Sequence, residues 1–152
     1  MPPPPLALSL GDPAGVGPEI VAKAWLALKG EGPAFVVIGD RALLAAQGVP
    51  VVVAASMAEG GEAFAQALPV IDLPLSSPVQ VGKPSSAHAP AIVRWIETAT
   101  ALALEGQACG VVTAPIAKAP LYEAGFKFPG HTEFLADLTA HAPMPEREGR
   151  AG

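Results

Sequence analysis

The stretch LALSLGDPAGVGPEI, residues 6–20, decides how the rest of the chain is read. Leu6-Ala7-Leu8-Ser9-Leu10 is a short, continuous apolar run, the pattern of a strand buried on both faces. Gly11-Asp12-Pro13 ends it in a turn. Pro18 at the first helical position and Glu19 in the first turn are helix-start signals. Ile20, Val21, Ala24, Trp25 and Leu28 then recur at helical spacing, with Gly30 as the stop. Strand, glycine-rich turn and helix follow one another without a spacer.

The alternation continues. Residues 34–38 (AFVVI) read as a second buried strand closed by Gly39-Asp40, residues 41–47 as a short helix ending at Gly48, and residues 51–53 as a third strand. Residues 56–68 predict a helix broken by Gly60-Gly61, followed by a short strand at Val70-Ile71. Residues 73–84 are rich in Pro and Ser and read as an excursion or linker. Ser85 or Ser86 starts the longest helix, with Ile92, Val93, Ile96, Ala99, Leu102 and Ala103 on one face and Gly106 as its end. Residues 109–113 (CGVVT) predict another buried strand. A helix over 115–124, disturbed by Pro120 and ended by Gly125, and a last helix over 132–140 complete the pattern. Strands alternating with helices at this spacing imply a three-layer α/β fold with a mostly parallel sheet. No internal repeat of 20 to 50 residues is present.

Composition narrows the function classes. Hydrophobic residues make up 51% of the 152 and charged residues 15%, against about 25% charged in ordinary domains, so a disordered solvating chain is excluded. With 16 Gly and 18 Pro, turns are frequent and elements short. The net charge of −5 offers no basic face for nucleic acid. The single cysteine, Cys109, excludes an intramolecular disulfide, fits a reducing compartment, and reads as an inert buried thiol within its strand. Residues 1–5 carry no basic leader, and no apolar run approaches the ~20 residues that span a bilayer. The expectation is a cytoplasmic protein with neither membrane nor nucleic-acid partner.

Three segments can carry chemistry. The first is the loop from Gly11 to Glu19, where Asp12, Gly15 and Gly17 stand at a strand-to-helix junction. Glycines admit a ligand close to the backbone, and a helix start offers free N–H groups to an anion; a tight turn that needs glycine explains the same residues. It is no Walker A loop, because no Gly-Lys-Ser/Thr follows. It is no full dinucleotide fingerprint either, since Ile20 stands where the third glycine would fall.

The second segment is Thr113-Ala114-Pro115-Ile116-Ala117-Lys118, directly after a predicted strand, where open α/β sheets bind ligands. Lys118 is a candidate for a phosphate or carboxylate, or a solvated surface lysine. The third is Phe128-Pro129-Gly130-His131-Thr132-Glu133. There Thr132 reads as an N-cap, and its hydroxyl, the first-turn amides and the His131 imidazole are placed to meet one anion. A capped helix beside an exposed histidine is the plainer account. His88 reads as solvated. His131 and His141 match no short metal-ligand spacing, and no Gly-x-Ser-x-Gly elbow is present. Neither a metal ligand nor a catalytic residue is assigned.

Taken together, SLGDPAGVGPEI, VGKPSSAHA and VVTAPIAKAPLYEAGFKFPGHTEFLADLT, in that order, resemble the 4-hydroxythreonine-4-phosphate dehydrogenase (PdxA) family over about residues 6–139. The GDPAGVGPE loop is also similar to the loop of isocitrate and isopropylmalate dehydrogenases. The resemblance implies an isopropylmalate-dehydrogenase-like fold, here incomplete. It also implies NAD-dependent oxidation with decarboxylation of 4-phosphohydroxy-L-threonine, in pyridoxine and pyridoxal phosphate (vitamin B6) biosynthesis. A divalent metal (Zn, Mg or Co) would act as Lewis acid, and the enzyme would be a homodimer. The family's His-Thr substrate-binding pair maps onto His131 and Thr132. Asp12, Gly15, Gly17, Thr113 and Lys118 match family motifs as a possible substrate or cofactor loop.

The family's metal-binding histidines lie downstream of the GHTE motif, so the ligands are expected to be absent from this chain. Residues 141–152 read as a disordered, non-family tail behind an α/β portion at 1–140. The expectations are a truncated enzyme, inactive in isolation, or alternatively a non-catalytic phospho-ligand-binding or oligomerisation module.

Overall fold

A computed structural model describes residues 3–116, 125 and 131–140, the backbone alone at 131–134. Its centre is a sheet of five parallel strands: β1 (Leu6–Ser9), β2 (Phe35–Gly39), β3 (Val51–Val53), β4 (Leu68–Asp72) and β5 (Val111–Thr113). They lie in the order β3-β4-β2-β1-β5. Every connection therefore crosses over, through α1 (Gly17–Leu28), α2 (Arg41–Ala45), α3 (Met57–Ala63) and α4 (Ala89–Leu104). A fifth helix, α5 (His131–Leu138), lies against α4. The predicted α/β class with a parallel sheet is what the molecule has.

Burial explains why the strands were legible. Every residue of β2 is buried, as are three of the four in β1, so the middle of the sheet reads as unbroken apolar runs. α4 packs against β1, β2 and β5, and α3 against β2, β3 and β4. Trp25 and Trp95 are the largest fully buried side chains. Each indole N–H donates to a backbone carbonyl, Trp25 to Phe64 at 2.7 Å and Trp95 to Leu73 at 3.0 Å.

Four expectations are corrected. α3 runs unbroken through Gly60-Gly61, capped by the Ser56 hydroxyl, which accepts from Glu59 N–H at 3.1 Å. A Cβ on Gly60 would stand 2.5 Å from Val36 Cγ2, so this glycine is there for close helix–sheet approach. Cys109 is exposed rather than buried, since it precedes β5, which among the described residues pairs with β1 alone. The long helix does not start at Ser85 or Ser86: Ser85 caps a 3₁₀ turn (Ser86–His88) and α4 follows it. α5 begins at His131, which puts Thr132 inside its first turn rather than at the cap. The predicted helix over 115–124, and the tail at 141–152, lie outside the described residues.

The largest revision concerns residues 73–84. They carry no regular element, yet they do not behave as a linker. Leu73 N–H donates to Gly39 O at 2.8 Å, and the Asp40 carboxylate accepts from Leu75 N–H at 2.9 Å. The His88 ring contacts Pro78 O at 3.0 Å through Nε2. Gly82 N–H donates to Ala14 O at 2.8 Å. With the Trp95 bond to Leu73, the segment is a strap fastened at four residues along its length.

Candidate functional site

The direction of chain travel reverses between β1 and β5, which makes their carboxyl ends the topological switch point where open α/β sheets bind ligands. The loop after β1 meets the loop after β5 there. Asp12 N–H donates to Pro115 O at 3.0 Å, and Ala114 N–H to Ser9 O at 3.0 Å. Gly11 adopts φ +79°, and a Cβ would lie 2.5 Å from Pro115 O. A Cβ on Gly17 would lie 2.3 Å from Leu10 O. Both glycines are required by proximity: the two loops are seamed backbone to backbone, with no room for side chains.

Asp12 organises the turn. It is 3% exposed; its Oδ1 accepts from Ala14 N–H at 2.8 Å, and its carbonyl accepts from Gly15 N–H at 3.1 Å. This Asx-type geometry presets the entry into α1. α1 begins at Gly17 with Pro18 in its first turn and no side-chain cap. Glu19 pairs with Lys23 one turn on, at 3.3 Å and in solvent. The loop, the end of α2 and the strap tip border an open groove of about 390 Å³. Pro13, Ala14, Val16, Leu43, Ala46 and Val81 supply apolar wall, and Glu19 and Gln47 supply polar side chains.

Three buried polar side-chain atoms among the described residues have no partner: Ser9 Oγ, Asp12 Oδ2 and His88 Nδ1. Ser9 ends β1, Asp12 follows it, and His88 stands at the start of α4, which follows the strap. His88 is only 2% exposed, which overturns its reading as solvated. Because Pro78 O can only accept, the bond requires hydrogen on Nε2. Sequence reasoning also passed over Asp40 and Trp95. Asp40 has a legible signal, an Asp directly before a helix; its Oδ1 accepts from Ala42 N–H at 2.8 Å as N-cap. His88 had none, since Pro84 and Ser85 beside it suggested a solvated loop.

Of the candidates from sequence, Asp12, Gly15, Gly17 and Thr113 are gathered at the carboxyl ends of β1 and β5, with Thr113 in register with Ser9. His131 and Thr132 form the first two residues of α5, whose Leu135 and Leu138 pack on the core. Lys118 lies outside the described residues. No group of three or more His, Cys, Asp or Glu side chains able to hold a metal occurs among the described residues.

The chain's likeness to known proteins follows this outline. Residues 31–145 match the family model described as pyridoxal phosphate biosynthetic protein PdxA. The chain belongs to the PdxA family. It is 63% identical over 147 residues to the 4-hydroxythreonine-4-phosphate dehydrogenase of Caulobacter vibrioides, covering 95% of this chain and 44% of that one. The crystal structure of the Klebsiella pneumoniae protein of that name matches with a TM-score of 0.78 and 35% identity, over 90% of this chain and 45% of that one. The corresponding Burkholderia phymatum structure matches with a TM-score of 0.81 and 30% identity, over 92% and 44%. The chain thus spans less than half the length of these relatives.

Proposed function

We propose that this PdxA-family chain supplies the part of a 4-hydroxythreonine-4-phosphate dehydrogenase that holds the substrate's phosphate end and frames the crevice beside it. The observation that carries this is the 63% identity, over 95% of the chain, to a protein of that name. The whole reaction would be NAD-dependent oxidation and decarboxylation of 4-phosphohydroxy-L-threonine in vitamin B6 biosynthesis, by a cytoplasmic homodimer.

In this reading the start of α5 is the anion site. First-turn amides point along the helix axis with positive partial charge, and the Thr132 hydroxyl and the His131 imidazole add donors. The Gly11–Glu19 loop, with Asp12, Gly15 and Gly17, lies beside Thr113 at the crevice. Lys118 is proposed as a further contact to the substrate's charged end.

The described residues do not fit a resident metal, because no set of three ligating side chains converges. Nor do they fit the pyrophosphate of NAD. The glycine loop brings two carboxylates, Asp12 and Glu19, and the lysine in α1's second turn is engaged by Glu19. No step is therefore derived through either group. We place the divalent metal and the NAD site on residues other than those described.

The test uses the purified 152-residue chain. Titration with 4-phosphohydroxy-L-threonine should raise its melting temperature, and His131→Ala should abolish the rise. With NAD and zinc or magnesium added, no NADH should form. A missing rise, or an equal one in His131→Ala, would overturn the phosphate-end assignment, and NADH production would overturn the division of labour.

A further inference from the structure

We draw no further inference here: the strongest candidate, the three unpartnered polar side-chain atoms Ser9 Oγ, Asp12 Oδ2 and His88 Nδ1 at the carboxyl end of β1 and the start of α4, belongs to the site already described and, with its residues no more than 3% exposed, offers no surface to a ligand.

Discussion

The glycine loop at 11–19 and the strap at 73–84 look alike in sequence: both are short, contain several turn-forming residues (three Gly and two Pro in the loop, three Pro, two Ser and one Gly in the strap), and lie between apolar runs. They are held by different means. The loop is fixed by backbone proximity, with Gly11 and Gly17 pressed against carbonyl oxygens of neighbouring segments. The strap makes two backbone bonds to its surroundings, Leu73 to Gly39 and Gly82 to Ala14, and is otherwise held by side chains sent from elsewhere: Asp40 before α2, Trp95 in α4, and His88 before α4. Composition identifies a turn-forming segment but says nothing about what reaches it from a distance. Breaking each kind of hold should therefore have different consequences.

The largest effect is expected at Trp95. Trp95→Ala empties a fully buried site and should cost roughly 3–5 kcal/mol, a large share of a small domain's stability. Trp95→Phe keeps most of the packing and removes only the bond to Leu73 O, which should cost about 1 kcal/mol. Urea denaturation measures both. Amide exchange at Gly82 gives the sharper reading, since Trp95→Phe should speed it more than the matched Trp25→Phe, which frees Phe64 O instead.

Next come two glycines of nearly equal backbone conformation. Gly11 and Gly82 have φ of +79° and +81°, so alanine at either meets a left-handed penalty of roughly 1–2 kcal/mol. At Gly82 nothing lies within 4 Å of the added Cβ, whereas at Gly11 three backbone atoms lie within 3 Å. Gly82→Ala should cost the conformational penalty alone. Gly11→Ala should cost more, because the seam between the β1 and β5 loops must part. Equal losses in denaturation midpoint would mean that proximity does not hold the loop.

The contrast also shows what could be read in advance. The strands at the middle of the sheet announced themselves, because both faces of β1 and β2 are covered and apolar runs are the direct trace of that burial. The Gly11–Glu19 loop was located correctly because a strand-to-helix junction is a local event. Cys109 was misread because an apolar run cannot tell a central strand from one paired on a single side. His88 was misread because its burial depends on a strap folding back over it, which no window of neighbouring residues contains. Gly60 was taken as a helix breaker because its reason, Val36, lies 24 positions away in sequence.

The smallest effect tests whether the strap is held along its length or only where it ends. The Ser85 hydroxyl accepts from Ala87 N–H at 3.2 Å in solvent and caps the turn that carries His88. Removing an N-cap costs about 0.5–2 kcal/mol, and an exposed cap on a three-residue turn belongs at the low end. Ser85→Ala should lower the urea midpoint slightly and leave Gly82 exchange near its original rate, since Leu73 and Leu75 keep their bonds to Trp95 and Asp40. Suppose instead that Ser85→Ala frees the Gly82 amide as fully as Trp95→Phe does. The buried anchors would then be incidental, the cap would be what holds residues 73–84, and the strap would be no better fastened than the linker its composition suggests.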